Sequence, residues 1–582
     1  MRVGMRMRTG TRTLSPSYVC LDCRHRLRQK LRSISLLRAC TFTTSTTRFL
    51  PNTSPNSSTS NSESSSNHKP PTAPKPTPNV RHIRENADVY ARNCVDRNYA
   101  ALRENPLKIK ELADEAARLQ RDLNAPRGRI KAVEKEIGRI SFKAKGNDKK
   151  DSKDGNNVDE QLAKLHAEAK QLKEETADMS LRRERCLEDM RSLALSLPNL
   201  TSPQTPIGDT PRLLSYINYD PSRPPSYLTD PSRSHVSIGS RLSLLDFSSS
   251  ATSTGWGWYY LTGAGALLEQ ALVQFALTSA MNRGWTPVSP PSIVYSHIAS
   301  ACGFQPRDQH NEQQIFAIEQ SERDKERGRP ARVLAGTAEI PLAAMYAGRE
   351  VGAGELPVRM VGASRCYRAE AGSRGVEAKG LYRVHEFTKV ELFGWADSFE
   401  ESNSPSSSSP SSSGKSKTPD DKKQITSTTL FDEMLALQTH ILSALNLPCR
   451  ILEMPSSDLG ASATRKIDIE ALFPSRLQLK SSPSSPFPSL SEKDLDSAWG
   501  EVTSASICTD YQSRRLGTRV RSKDGAGSRF PHTVNGTALA VPRVIAAILE
   551  NGWDERVQGV VVPEVLRGFM GGVEVLRGNL RG

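Results

Sequence analysis

Hydrophobic positions recur along two stretches of this chain in alternating steps of four and three. One set is Leu112, Ala116, Leu119 and Leu123, followed by Ile130, Val133, Ile137 and Ile140. The other is Val158, Leu162, Leu165, Ala169, Leu172, Thr176, Met179, Arg183, Cys186, Met190, Leu193 and Leu197, with polar breaks at Thr176 and Arg183. A heptad repeat is the seam of one helix lying along another. Pro126 interrupts the first run, which predicts a kink or a restart there. Residues 145–157, KGNDKKDSKDGNN, form a polar turn between the runs. The pattern therefore predicts an antiparallel helical hairpin over 81–200, each arm about 55–60 Å long at ~1.5 Å per residue. It also suits a dimerising coiled coil or a spacer.

After a Pro-rich stretch at 198–232 the pattern becomes that of a globular α+β domain running to residue 582. Two segments alternate with period two: 357–370 (PVRMVGASRCYRAE) and 381–395 (LYRVHEFTKVELFGW), separated by AGSRGVEAKG. They predict a long antiparallel hairpin. Alternation puts Arg368 and Glu370 on one face, and Arg383, His385, Phe387, Lys389 and Glu391 together on the return strand. Such a face either lines a cleft or is a solvated surface. Arg supplies a planar fork for phosphate or carboxylate, Phe a stacking surface for a purine, and Glu391 an acceptor for an ammonium. Two low-complexity insertions, 402–424 and 480–494, cannot bury enough apolar area to offset their ordering entropy and are expected to be disordered loops.

Composition narrows the classes. The 582 residues carry 79 Lys+Arg against 64 Asp+Glu, a formal charge of +15. Ten Arg and Lys30 against Asp22 put +10 of it in residues 1–50. A basic, acid-poor, Ser/Thr-containing leader without a long apolar run fits a mitochondrial transit peptide, with a nucleic-acid-binding arm as the other reading. Residues 51–80, rich in Ser, Pro, Asn and Thr, read as a disordered linker. No run reaches the ~20 apolar residues of a membrane-spanning helix, so membrane insertion is not expected. Nine scattered cysteines exclude a disulfide-stapled secreted scaffold. Cys20 and Cys23 form one CxxC, with only Cys40 and His25 nearby to complete the four ligands of a zinc site.

Five ordered segments together resemble the seryl branch of the class II aminoacyl-tRNA synthetases. Thr262–Glu269, leading a helix that ends in Gly284-Trp285-Thr286-Pro287-Val288-Ser289-Pro290-Pro291, resembles motif 1. Arg368-Ala369-Glu370 with His385–Glu391 resembles motif 2, and Asn535–Arg543 motif 3. Thr337-Ala338-Glu339 is similar to the family's serine-binding TAE, and Glu501-Val502-Thr503-Ser504 to its EISS-like segment. The closing Val562–Arg567 matches as well. The resemblance spans about 81–572 outside the insertions.

It implies an antiparallel sheet flanked by helices and a tRNA-binding helical arm. By the same resemblance, Thr337, Ala338, Glu339, Glu391 and Thr537 would hold L-serine. Arg368, Ala369, Glu370, Phe387, Glu501, Val502, Thr503, Ser504 and Arg543 would hold ATP. Glu501 and Ser504 would ligate Mg²⁺, and Arg368 and Arg543 would stabilise charge during catalysis. The implied activity is two-step serylation of tRNA(Ser) in the mitochondrial matrix by a homodimer built through motif 1. The alternative is a catalytically silent RNA-binding relative. Thr337 and Glu339, two apart, are expected on one strand face, and Arg543 in the first turn of a helix over 539–550. Ala538 departs from the Gly common in motif 3. Pro542 departs from the Gly of bacterial-type relatives but is tolerated in a first turn. His310, His440 and His532 have no metal partners at useful spacing and read as structural.

Overall fold

A computed structural model describes residues 73–146, 154–230, 232–305, 314–370, 380–398, 425–477, 492–521 and 527–578. The basic leader, the linker up to residue 72, the insertion 402–424 and residues 480–491 lie outside them. Residues 492–494, which composition places in the second insertion, open a helix, Glu492–Ser497. Among the described residues, regular structure begins at a short helix, Val80–Glu85, capped by the Asn79 side chain.

Helices α1 (Asn105–Gly146) and α2 (Asp154–Ser196) pack side by side. The heptad pattern is their seam: Ile109, Ala116, Leu119, Leu123 and Val133 of α1 are buried, as are Ala169, Thr176, Cys186 and Met190 of α2. Ion pairs Glu115–Arg182, Arg129–Glu168 and Glu134–Lys173 fix the antiparallel register. Pro126 does not restart α1, which runs through it without a break. It stands three residues after Leu123 and four before Ile130, so it occupies a seam position itself. One lost N–H among 42 residues is offset by packing along the whole seam.

The hairpin joins the rest of the chain through buried arginines. Arg97 is 1% exposed and donates to the main-chain oxygens of Asn199, Leu459 and Gly460. Arg515 donates to Leu195 O (3.0 Å) and Leu197 O (3.3 Å), the orphan carbonyls at the end of α2. The Asn199 amide reaches Ser462 O, Cys508 O and the Thr509 hydroxyl.

The globular part is α+β. Its sheet contains β1 (Arg212–Ile217), β2 (Thr286–Pro287), β3 (Val358–Tyr367), β4 (Glu386–Ala396), β5 (Cys449–Glu453), β6 (Arg465–Leu472), β7 (Trp499–Thr509) and β8 (His532–Ala540). The order is β1-β5-β6-β7-β8-β4-β3-β2, antiparallel except for β2 beside β3. Helices α3 (Ala264–Met281), α4 (Ser427–Ala444) and α5 (Val541–Gly552) share the main core with Val390, Leu392, Ile467, Ile469, Val502 and Leu539 of the sheet. Because β4 alternates, its Lys389 and Glu391 point away from that helical layer. On their side, Phe393 and Trp395 pack with Ile298, Ala338, Ile340 and Leu342 in a second core. A buried carboxylate, Glu269 of α3, receives the Thr388 hydroxyl at 2.6 Å and ties α3 to β4.

Candidate active site

β3 and β4 form the expected antiparallel hairpin, with Tyr367 opposite Glu386 and Gly362 opposite Glu391. Its return strand starts later than expected. His385 keeps one bond across the hairpin, its carbonyl accepting from Arg368 N–H at 2.9 Å, but Leu381 N–H is held by His235 Nε2 and residues 381–384 make no ladder. They border a cleft instead, with Arg368, Glu370, Phe387, Lys389, Glu501, Ser504, Thr537 and Arg543.

Two bulges aim the strands at this cleft. Ile469 pairs with Thr503 and Glu470 with Glu501, leaving Val502 as an extra residue on β7. Glu501 and Ser504, three apart, would face opposite ways on a regular strand; the bulge brings both to the cleft. On β8, Val390 pairs with Leu539 and Glu391 with Thr537, so Ala538 is the extra residue. Thr537 and Ala540 then border the same cleft. Between the bulges the ladder of β7 and β8 is interrupted, since their pairing begins at Ala505–Gly536. Gln438 of α4 fills the gap from behind, its amide donating to Ser504 O (2.8 Å) and Thr537 O (2.9 Å), and the Thr503 hydroxyl also donates to Thr537 O. This approach requires Gly536: a Cβ there would stand 2.9 Å from Ser504 O and 3.1 Å from Gln438 Nε2.

Beside the cleft lies a cluster with two buried carboxylates, Glu339 and Glu391. Glu339 Oε1 accepts from Gln512 Nε2 (2.5 Å) and Asn535 Nδ2 (2.6 Å). Burial, then the charge of Glu391, pushes the Glu339 carboxyl up to about 8 against the pull of Lys389 and the two amides. Glu391 stands opposite Thr537, with Lys389 Nζ 2.6 Å from its Oε2 and the Thr337 hydroxyl bonded to it. Burial raises its carboxyl too, and Lys389 opposes that. Thr337 and Glu339 do not share a strand face. The strand ends at Leu334, residues 336–338 turn, and Glu339 opens the helix Glu339–Ala344. Pro341 explains the change, since it cannot donate to a ladder yet fits a helix's first turn.

At the cleft's other side, Arg543 Nη1 meets Glu501 O (2.9 Å) and Glu501 Oε2 (3.0 Å), and its Nε meets Tyr382 O (3.0 Å). Its guanidinium lies 4.4 Å from the Tyr382 ring centroid. Burial alone would raise Glu501, but Arg543, Lys466 and Arg368 overcome it and hold the carboxyl well below its ordinary value. Arg543 is in the first turn of α5, whose start is Val541; Leu539 and Ala540 stay in the ladder with Val390 and Lys389. Arg368 lies 5.3 Å from the Phe387 ring, and Arg383 lies 3.8 Å from Glu370. Glu501 and Ser504 offer two oxygens on one side of the sheet, a donor set that suits a hard cation completed by phosphates and water. Asp468, opposite Ser504, adds a buried oxygen, Oδ1, without a hydrogen-bond partner. Among the described residues no group of three or more His, Cys, Asp or Glu is arranged to hold a metal alone.

The structure thus brings Arg368, Glu370, Phe387, Glu501, Val502, Ser504, Thr537 and Arg543 to one cleft, and Thr337, Glu339 and Glu391 to a buried cluster beside it. Ala338 packs in the second core, Thr503 spends its hydroxyl inside the sheet, and Ala369 contributes its N–H to Gln314 O. Sequence reasoning assigned no role to Lys389, although it sits two residues from Glu391 on one face. Gln438 and Gln512 carried no local signal at all.

Residues 321–406 and 422–552 match the family model described as tRNA synthetase class II core domain (G, H, P, S and T). The sheet and cleft are therefore those of a class II synthetase. The chain is 38% identical over 445 residues to the mitochondrial serine–tRNA ligase of Saccharomyces cerevisiae, covering 76% of this chain and 85% of that protein. It is 36% identical over 489 residues to the mitochondrial serine–tRNA ligase of Schizosaccharomyces pombe, covering 84% and 87%. Seryl-tRNA synthetase from Pyrococcus horikoshii, crystallised with ATP, superposes with a TM-score of 0.63 at 25% identity over 86% of this chain and all of that one. The chain belongs to the serine–tRNA ligase family.

Proposed function

We propose that this protein activates L-serine with ATP and transfers it to tRNA(Ser) for mitochondrial translation. The observation that carries the reading is the paired site: two buried carboxylates with a lysine, opening onto a cleft of three arginines, an aromatic ring and Glu501. Serine's ammonium and hydroxyl fit Glu339, Glu391, Thr337 and Thr537. Arg368 and Phe387 suit the adenosine side of ATP, and Arg543 its outer phosphates. The serine carboxylate attacks the α-phosphorus in line, pyrophosphate leaves and seryl-adenylate forms; the terminal ribose hydroxyl of tRNA then takes the seryl group, with AMP as the leaving group. No protein nucleophile is required; positioning and charge stabilisation supply the rate. Mg²⁺, held by Glu501 and Ser504, would offset phosphate charge. A pocket built to pair the serine hydroxyl leaves polar groups unpaired with alanine, a discrimination on the order of 10⁴-fold.

The helical hairpin is read as the tRNA arm, binding phosphates and therefore weakening steeply with salt. Exposed Leu267, Met281, Ile293 and Tyr295 on α3 and the segment after it support a homodimer. The basic leader and the mitochondrial relatives support the matrix as location, and no helix of the described residues is long and apolar enough to cross a membrane. Nothing in the site favours a silent relative. Serine-dependent ATP–pyrophosphate exchange, with threonine, alanine and cysteine as controls, tests the reading. Exchange with serine alone is expected; silence from a folded, ATP-binding protein overturns it.

A further inference from the structure

We propose that Gln512 is a positioning residue for Glu339, and that the short helix bearing it ties the serine pocket to the base of the helical arm. This inference rests on Glu339 being part of the serine site. Gln512 is fully buried and does not border the cleft; its one polar contact is the 2.5 Å bond to Glu339 Oε1. Asn535 donates to the same oxygen. Two amide donors on Oε1 fix the rotation of the carboxyl group, and neither of them engages Oε2.

That arrangement leaves a defect. Gln512 Oε1 is buried with no hydrogen-bond partner. Reversing the amide would set a carbonyl against the carboxylate, so the orphan is the cost of serving Glu339. An unsatisfied buried polar atom is destabilising, and a structural role alone would be better filled by an apolar side chain of the same size.

The helix Tyr511–Leu516 also holds the arm. Arg515, three residues beyond Gln512, donates to Leu195 O and Leu197 O at the end of α2, its guanidinium over the Tyr511 ring. Arg514 O accepts from Thr77 N at 2.8 Å, and the Arg514 side chain pairs with Asp510. Six residues therefore carry the donor to Glu339 at one position and the arm's joint at the next ones.

The test is pyrophosphate exchange on the full chain, with thermal denaturation of the same samples. Gln512→Met keeps the volume and removes both the donor and the orphan oxygen. A positioning role predicts a serine KM raised about 10-fold, an ATP KM unchanged, and a Tm equal to or above that of the parent. A packing role predicts an unchanged serine KM. Arg515→Lys keeps the charge but not the fork, and should raise serine KM about threefold without moving ATP KM. Unchanged serine KM in Gln512→Met, or serine and ATP KM rising together, overturns the positioning role. Unchanged serine KM in Arg515→Lys overturns the link to the arm. Absence of serine-dependent exchange in the parent protein would instead sink the functional reading itself.

Discussion

Lys389 Nζ lies 2.6 Å from Glu391 Oε2, the two side chains two residues apart on one strand and both less than a tenth exposed. A carboxylate in that position survives as an anion only with its cation beside it, since an unpaired buried charge is costly. Lys389→Met should therefore leave Glu391 protonated and unable to hold an ammonium. The expected result is a serine KM raised on the order of 100-fold with ATP KM little changed, read by pyrophosphate exchange. An unchanged serine KM would remove Lys389 from the site.

The second prediction concerns pH. Glu339, pushed up to about 8 chiefly by burial and then by Glu391, is neutral in the free protein at pH 7. Serine's ammonium favours the ionised form, so binding below pH 8 should expel a proton, and affinity should rise with pH from 6 towards 8 and then level. Folding runs the other way. The native state holds a proton that the unfolded chain releases near its ordinary carboxyl pKa of about 4.3, so this group's contribution to stability falls as pH rises from there to about 8. Calorimetric titration of serine in buffers of different ionisation enthalpy measures the proton. Glu339→Gln should abolish its release.

Gly536 supplies a third. The close approach of Ser504 O and the Gln438 amide leaves no room for a methyl group. Gly536→Ala should cost about 1–3 kcal/mol of stability and lower kcat, because the displaced strands carry Ser504 and Thr537. Chemical denaturation and exchange on the same sample check both; a stable, fully active variant would refute the account of the strand gap.

A fourth separates the two halves of the site. Arg543 makes three contacts that need a planar fork, to Tyr382 O, Glu501 O and Glu501 Oε2. Arg543→Lys keeps a charge and loses that geometry. We expect kcat/KM for ATP to fall on the order of 100-fold while serine KM stays within about twofold. Equal loss for both substrates would mean that Arg543 acts on the whole domain.

The arm was legible because its seam repeats every seven residues and tolerates even Pro126 at a seam position. The β3–β4 hairpin was legible because both strands alternate and a Gly-rich loop joins them. Alternation misled elsewhere. By alternation alone Glu501 and Ser504 would face opposite ways, and only the extra residue Val502 brings them together; a bulge has no local signature when the added residue is an ordinary valine. The strand expected through Thr337–Glu339 is a turn and a helix start, for which Pro341 was the available sign. Gln438 and Gln512 act from elements remote in sequence, on a carbonyl pair and a carboxylate that only tertiary packing brings to them.

Arg97 and Arg515 meet main-chain oxygens alone, with no carboxylate among the acceptors described for them. Such a joint has no counter-charge for dissolved ions to screen. The elbow between arm and body should thus hold its setting from dilute buffer to high ionic strength, while the grip of the arm on a polyanion loosens. Its acceptors are also independent of side-chain identity, so residues 459–460 are free to drift in sequence without unhinging the arm.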